Sequence, residues 1–465
     1  MEPRPLSFLA AACDGELRRV DPSFEVTRIG PDTRDLRRGE LFVALSGARF
    51  DGHGFVAEAL RRGAAAAVVA RDRAAEFPEA PLVVVSEPRI ALGRMAGAYR
   101  GGFGLPVVAV AGSNGKTTTK ELLAATLGGC FDTLSTRDSF NNDVGVPLTL
   151  LGIERRHLAA VVEVGTNHPG ELAPLVRMTQ PRIGVLTHIG EEHLEFFGSV
   201  AGVIEEEGWL ADLLPPDGVL VLPGDAPWTD AIVRRTRARV VRTGIAATND
   251  WRLLEASADA EGTTFAVRAP RPDLCGAYRI NLFGRHQVSN ALLTLAAAAE
   301  FGLDRAELQR GLARAEAARW RMNRWRFEGV EVIEDCYNAN PDSTLAALES
   351  LRAFPCVGRR VAVIGAMAEL GTHTTRAHER VGRRAAELGL DRLLAVGEPA
   401  AASVEAAVDA GLASAVAVDA VETAAAALRT FLRPGDALLI KGSRSARLER
   451  LGPLLRDASR LLHAA

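Results

Sequence analysis

The sequence predicts an α/β protein built around a doubly wound, mainly parallel sheet that carries a phosphate-binding loop, followed by a second, smaller α/β sheet. Three observations lead there. The apolar run Pro106–Ala111 leads directly into Gly112-Ser113-Asn114-Gly115-Lys116-Thr117-Thr118, and the amphipathic stretch Thr119–Leu127 follows, giving strand, glycine-rich loop and helix in order. Further apolar runs recur between helical patterns along the rest of the chain, as strands buried on both faces of a parallel sheet do. Of 55 basic residues only Lys116, Lys120 and Lys441 are lysines. In a chain that has drifted toward arginine, a retained lysine is a candidate for a place where a compact ammonium is required and a planar guanidinium does not fit.

Residues 1–105 read as an N-terminal unit of short strands, Leu41–Leu45 and Ala65–Val69, with glycine-rich turns and a helix near 55–62. Gly101–Gly104 reads as a linker. The unit 106–317 alternates strands at Val107–Ala111, Ala159–Val164, Ile183–Thr187 and Val219–Leu222 with helices. The unit 318–465 follows a helix around 289–300 and the arginine-rich crossing Arg319–Arg324; its strands are expected at Glu331–Glu334, Arg360–Ile364, Arg392–Val396 and Ala437–Ile440.

At 465 residues, two or three domains are expected. A net charge of −3 argues against a general nucleic-acid binder, and no apolar run is long enough for a membrane span. The N-terminus lacks the basic start and apolar core of a secretory signal, so a cytoplasmic protein is expected. Five cysteines, without CxxC spacing or a pairing with histidine, read as small core residues rather than disulfides or a zinc site.

In a glycine-rich loop of this kind, backbone N–H groups and the positive end of a helix hold phosphate oxygens, a lysine reaches the terminal phosphates and a threonine hydroxyl ligates Mg²⁺. The loop is a shorter variant, with Val110 where the longer pattern has glycine. Lys120, one turn further on, reads as a solvated surface charge. Ligands of open parallel sheets bind beyond the carboxyl ends of the strands, which directs attention to residues just past each run. Glu163 ends an apolar strand, and its carboxylate needs a metal or an arginine, the metal being favoured beside a Mg²⁺-binding loop. His188 and His193 share a loop with Glu191, Glu192 and Glu195; a ligand or proton-transfer role and a structural one stand equal. Asp335, Asn338 and Asn340 close the first strand of the third unit, where the asparagines could simply cap the next helix. Asn290 or Ser289 reads as an ordinary polar residue at a helix start, and Thr33-Arg34 and Ser46–His53 as turns.

Taken together these segments resemble the Mur ligases. The resemblance spans nearly the whole chain and rests on Glu40–His53, Gly112–Lys120, Phe140–Pro147, Glu163–His168, Gly284–His286, Asp335–Ser343, Met367–Gly371 and Lys441–Ser445. Tyr337-Asn-Ala-Asn-Pro341 and Phe140–Pro147 are similar to the branch that adds D-alanyl-D-alanine to UDP-N-acetylmuramoyl-tripeptide, the last cytoplasmic step toward the peptidoglycan pentapeptide precursor. The resemblance implies three domains: one for the UDP end of the substrate, a central ATPase, and a Rossmann-like C-terminal domain that closes over the nucleotide. It implies a monomeric ATP-dependent amide ligase acting through an acyl phosphate, with two Mg²⁺. Carried over by residue, it implies ATP at Gly112, Ser113, Asn114, Gly115, Lys116, Thr117 and Thr118. Thr117 and Glu163 would share one Mg²⁺, and His193 would reach the other. Asn290, Arg321 and Asp335 would contact the nucleotide, and Thr33, Arg34, Ser46 and Gly47 the uridine diphosphate. Asn141 and Asn142 would lie near sugar and peptide, and Asn338, Asn340, Lys441 and Arg444 near the incoming dipeptide or the closure interface.

Two departures stand out. Family members usually carry a lysine, carbamoylated to supply a carboxylate-like group to the second Mg²⁺, where this chain has Glu207; the expectation is that Glu207 supplies the carboxylate directly, with Glu206 as the alternative. Trp320 stands where the usual pattern has glycine. Another amide ligase of the superfamily, or a nucleotide-binding regulatory protein without turnover, remains the competing reading.

Overall fold

The structure is a computed structural model that describes residues 1–47, 50–259 and 261–462, with side chains described to residue 456. Among the described residues three sheets have more than two strands. The first orders Glu16–Arg18, Leu82–Val85, Ala66–Ala70, Leu41–Val43 and Ile29–Gly30, parallel except for the first pair. The second orders Thr133–Ser135, Ala159–Glu163, Val107–Ala111, Ile183–Leu186, Val219–Pro223 and Arg239–Gly244 in parallel, and extends through the meander Trp251–Asp259, Gly262–Arg268 and Gly276–Ile280. The third orders Asn323–Phe327, Val330–Asp335, Ala437–Lys441, Arg360–Gly365, Arg392–Val396 and Ala415–Val418, with one antiparallel pair at its edge.

The strand Val107–Ala111 shows why a continuous apolar run is required. Val107, Ala109 and Ala111 enter one core cluster, while Val108 and Val110 enter another on the opposite face of the sheet. All five are fully buried. The chain leaves this strand to one side through Thr133–Ser135 and Ala159–Glu163, and returns on the other side at Ile183–Leu186. Val107–Ala111 therefore sits at the switch point of the sheet, where a crevice opens past the strand ends.

Several expectations need correction. The stretch expected to be a free linker is fastened down: Gly101 ends the helix Pro88–Gly101, and Arg100 donates to the carbonyls of Phe103 at 2.7 Å, Leu105 at 3.1 Å and Thr179 at 3.2 Å. Lys120 is not a solvated charge; its side chain is fully buried and pairs with Glu121. Of the cysteines only Cys13 and Cys336 are buried, and Cys130 is exposed. The arginine-rich crossing runs into the edge strand Asn323–Phe327, which its charged residues concealed because that strand is only half covered.

The third unit is held by close packing of the helices Thr374–Glu387 and Glu398–Asp409. Gly382 lies against the backbone of Ser403, and a Cβ there would overlap the Ser403 carbonyl oxygen. Gly382→Ala is expected to destabilise this unit by about 1–3 kcal/mol, the usual range for overpacking. Denaturant unfolding followed by far-UV circular dichroism would measure it.

Candidate active site

The loop after Val107–Ala111 turns sharply because Gly112 (φ 118°) and Gly115 (φ 88°) adopt the left-handed region. Neither tolerates a side chain. A Cβ on Gly112 would come within 2.5 Å of Thr187 Oγ1, and one on Gly115 would overlap the Asn290 amide. The helix Lys116–Gly128 starts immediately, so its unpaired N–H groups and positive end face the crevice. The loop is braced from outside: Ser113 N–H and Asn114 N–H donate to the His188 carbonyl at 2.5 and 3.4 Å, and Gly190 N–H donates to Ser113 Oγ at 3.0 Å.

Lys116 folds back over this turn and donates to the Gly112 carbonyl, with the Ser113 carbonyl at 3.4 Å. Its ammonium lies 3.8 Å from Glu192 Oε2. Thr117, almost fully buried, donates to Glu163 Oε1 at 3.1 Å, and Asn141 Nδ2 donates to the same oxygen at 2.8 Å. Glu163 Oε2 is buried with no partner. Glu207, at the end of the helix Val200–Glu207, is wholly buried and neither oxygen has a partner. Burial pushes its carboxyl up to about 8; Lys116 pulls it down, while Glu192 pushes it further up. The Gly112 amide points toward this carboxylate and also lowers it, but from outside hydrogen-bond geometry. Glu206 is already engaged, accepting from Gly170 N–H at 2.8 Å and Leu172 N–H at 2.7 Å.

Buried carboxylate oxygens without donors are costly unless a cation completes them. Glu163, Glu192 and Glu207 all leave such oxygens beside the loop. Among the described residues no three His, Cys, Asp or Glu groups are gathered closely enough to hold a metal unaided. That suits Mg²⁺, which in phosphate sites takes one or two protein carboxylates and completes its octahedron with phosphate oxygens and water.

The third sheet supplies the opposite wall. A cleft of about 650 Å³ is lined by Ser113–Lys116, Thr118, Asn141, Asn142, Glu163, His193 and Asn290 on one side and by Arg321, Asp335, Asn338, Asn340 and Lys441 on the other. Lys441, buried, pairs with Asp335 Oδ2 at 2.9 Å and donates to the Asn338 carbonyl at 2.7 Å. Asn340 caps the helix Pro341–Ala353, accepting from Ser343 N–H at 2.9 Å, while its Nδ2 donates to Asn114 Oδ1 at 2.9 Å. It thus both caps a helix and braces the loop. Arg321 stacks on Tyr337 with its guanidinium carbon 4.4 Å from the ring centre. Asn290 is not at a helix start: the helix begins at Arg285, and Asn290 donates to Gln287 Oε1 at 3.0 Å within it. Burial keeps the nearby His286 imidazole below the usual histidine range.

The two walls are latched by side chains that local sequence could not pair. Arg380 binds Glu191 at 2.5 Å, and Asp342 Oδ2 accepts from Glu191 N–H at 2.9 Å with His188 Nε2 at 3.5 Å. Burial alone would raise the Asp342 carboxyl, yet His188, the Glu191 amide and Arg380 bring it below its ordinary value. His193 (φ 48°) turns its Nδ1 to Glu369, whose carboxyl that bond lowers, so Nε2 faces Glu192 at 3.8 Å. Nothing in the reading of the loop pointed to Glu369, which lies 176 residues away.

The remaining candidates lie elsewhere. Thr33 and Arg34 follow Ile29–Gly30, and Ser46 and Gly47 follow Leu41–Val43, its parallel neighbour; both pairs therefore sit beyond the same edge of the first sheet. Thr33 is buried, and Arg34 is exposed and paired with Asp32 at 2.7 Å. Ser46 borders a hollow of about 590 Å³ with His53, Arg71, Arg73 and Glu87; the other three do not line it. Arg89 bridges this unit to the centre, donating to the Ser46 carbonyl at 3.3 Å and to Asp143 at 3.0 Å. Arg444 is turned away from the cleft wall, 4.6 Å over Trp320 and 2.9 Å from Glu449. Trp320 itself takes φ 57°, a conformation that favours glycine.

Three family models match the chain: the Mur ligase family catalytic domain at 25–100, the Mur ligase middle domain at 110–298 and the Mur ligase glutamate ligase domain at 320–444. The UDP-N-acetylmuramoyl-tripeptide–D-alanyl-D-alanine ligase of Escherichia coli is 35% identical over 461 residues, 97% of this chain and 98% of that protein. The enzyme of the same name from Bacillus subtilis is 33% identical over 402 residues, 85% of each. Among solved structures, MurF from Acinetobacter baumannii superposes with TM-score 0.90 at 31% identity over 98% of this chain and 99% of that one. MurF ligase from Thermotoga maritima in complex with ADP gives 0.81 at 28% identity, over 92% and 97%.

The raised Glu207 carboxyl has a consequence for stability. Between about 4.5 and about 8 the folded chain keeps a proton that the unfolded chain has released, so Glu207 lowers stability as pH rises through that window. Glu207→Gln is expected to melt higher than the parent at pH 8 without metal or nucleotide, with the gap closing toward pH 4.5. Calorimetry across that range would test it, and a gap independent of pH would contradict it.

Proposed function

The chain belongs to the Mur ligase family, and from that premise we propose that it joins D-alanyl-D-alanine to UDP-N-acetylmuramoyl-tripeptide with ATP as the energy source. The observation that carries this reading is the single cleft in which the phosphate loop of the central sheet faces Asp335, Asn338, Asn340 and Lys441 of the third. A nucleotide on one wall and a peptide acceptor on the other are what an ATP-dependent amide ligase requires.

The chemistry follows from the weakness of a carboxylate as an acyl donor, since an oxide or hydroxide would have to leave. Transfer of the terminal phosphoryl group of ATP to the tripeptide carboxylate releases ADP and creates an acyl phosphate. The dipeptide amine then attacks its carbonyl carbon, a tetrahedral intermediate collapses, and inorganic phosphate departs with the C–O bond electrons. Gly112–Thr118 cradle the triphosphate, and Lys116, freed from the Gly112 carbonyl, offsets charge on the transferred group. Thr117 and Glu163 would hold one Mg²⁺, and His193 with Glu207 a second; bound there, the ions supply charge neutralisation on the phosphates. Glu207 already offers two unpartnered oxygens, so it serves in place of a carbamoylated lysine. Asn290, Arg321 and Asp335 hold the nucleotide, with Asn141 and Asn142 near sugar and peptide. Thr33, Arg34, Ser46 and Gly47 receive the uridine diphosphate. Asn338, Asn340, Lys441 and Arg444 lie near the incoming dipeptide or the closure interface, Arg444 once it leaves Trp320 and Glu449.

The units 1–105, 106–317 and 318–465 then correspond to substrate binding, ATP binding and closure. The latch among Arg380, Glu191 and Asp342 draws the last two together and keeps water from the acyl phosphate. The reading includes a monomer acting in the cytoplasm, where ATP is supplied.

Purified protein with ATP, Mg²⁺ and UDP-N-acetylmuramoyl-tripeptide is expected to release ADP at a sustained rate only when D-alanyl-D-alanine is added, and to do so in bicarbonate-depleted buffer. ADP release indifferent to the dipeptide would refute the assignment. Lys116→Met is expected to lower kcat by about 10²–10³, the range for losing one group that stabilises developing charge. Glu207→Gln is expected to weaken turnover and shift its Mg²⁺ dependence; unchanged behaviour would remove Glu207 from the site.

A further inference from the structure

Glu369 reaches the central unit from an uncommon turn. It is a non-glycine residue at φ 59°, in a sparsely occupied region that persists only where the surroundings hold it. The turn is seated on the loop that follows the strand Ile183–Leu186. The Glu369 carboxylate pairs with His193 Nδ1, and its carbonyl accepts from Glu195 N–H at 3.0 Å. Two residues on, Gly371 lies so close that a Cβ there would stand 3.2 Å from Glu195 Cα.

The turn is anchored from behind at the two amides just before Glu369. Ala368 N–H donates to Ser443 Oγ at 3.0 Å, and Met367 N–H donates to His378 Nε2 at 3.1 Å. His378 is fully buried, and its Nδ1 lies 2.8 Å from the Thr374 carbonyl, one turn back on its own helix. An amide N–H can only donate and a carbonyl can only accept, so the ring proton sits on Nδ1 and the imidazole is neutral. Burial favours that form, keeping the imidazole below the usual histidine range. The same helix, two residues further on, carries Arg380 to Glu191 at 2.5 Å. His378 is thus the buried joint between two arms of the third unit that grip one loop of the second: the turn 367–371 on His193 and Glu195, and the helix Thr374–Glu387 on Glu191. Packing alone does not ask for an imidazole here. An apolar side chain could fill the space, but it would leave the Met367 N–H buried without an acceptor.

We propose that His378 is a positioning residue: as the acceptor for Met367 N–H it fixes the turn that carries Glu369, and through Glu369 it sets how the His193 ring faces the cleft. It acts through that turn and touches no substrate. Its bearing on turnover rests on the ligase reading above, whereas its bearing on the loop 188–197 does not.

Hydrogen–deuterium exchange on the full chain, read at single-amide resolution and without substrates, tests the proposal. In the parent the Met367 amide is expected to be strongly protected. Two variants separate the two bonds of the imidazole, because a glutamine places an acceptor near the position of Nε2 whereas an asparagine reaches only the position of Nδ1. His378→Asn is expected to speed exchange across 366–371 and across 188–197 by about 3- to 10-fold, the span of one buried hydrogen bond, with His378→Gln close to the parent. In the ADP-release assay with both substrates, kcat is expected to fall by about the same 3- to 10-fold in His378→Asn and to recover in His378→Gln. KM for UDP-N-acetylmuramoyl-tripeptide is expected to stay unchanged, since the first unit is untouched. A parent whose Met367 amide exchanges as fast as an exposed loop amide overturns the proposal, even should neither variant fold. Equal exchange in the two variants overturns it too, since packing alone would then account for His378. So does faster exchange in His378→Asn that stays within 366–371 and never reaches 188–197. A chain that shows the expected exchange pattern yet releases no ADP with both substrates keeps His378 as the joint of the grip and loses the ligase reading.

Discussion

No side chain fits at Gly112 or Gly115, and much of the central architecture serves to keep that turn so closely pressed. Thr187 and His188 close it on one side, and Asn290 occupies the other. The turn can be held so tightly because the strand before it is buried on both faces, each face locked into a separate core. A rigid strand end, a left-handed turn and a helix start together present N–H groups at a fixed place, which a flexible loop could not do for a highly charged ligand.

Around that turn the protein leaves acidic groups short of partners. Glu163, Glu192 and Glu207 each bury at least one unpartnered oxygen near Lys116. Two other buried carboxylates are well engaged: Asp436 accepts from Arg359 and from the amides of Arg359 and Arg433, and Glu206 accepts from two backbone amides. The contrast between adjacent residues is informative. Glu206 belongs to the fold, whereas Glu207, one position along the same helix, faces the loop with nothing to bind. Strain of this kind, tolerated because the surrounding core is well packed, marks where a ligand is meant to complete the structure.

The third sheet contributes by position more than by its own chemistry. Asn340, Lys441 and Asp335 are ordered by a helix cap and a buried ion pair before any ligand arrives. The same helix carries Asp342 to the Glu191 amide, and the following segment carries Glu369 to His193. Orientation of an imidazole on the central sheet thus depends on a carboxylate from the third, which couples closure of the cleft to the geometry of the site.

The phosphate loop, the buried parallel strands and Glu163 were legible in the sequence because each is encoded within a few consecutive residues: continuous apolar runs, glycine spacing, a charge at the end of an apolar run. The edge strand Asn323–Phe327 was not, since half-covered strands carry arginines, and neither was the burial of Lys120, since one residue in a helix does not disclose what packs over it. The division of labour between Glu206 and Glu207 depends on which way two adjacent helical side chains point, a difference of about 100° that only packing resolves. His193 with Glu369, Glu191 with Arg380 and Asn114 with Asn340 join residues far apart in the chain. The sequence by itself determined the local elements and the chemistry of the loop; the tertiary structure decided which distant side chains meet there, because those meetings follow from the order of strands in the sheets and not from any pattern along the chain.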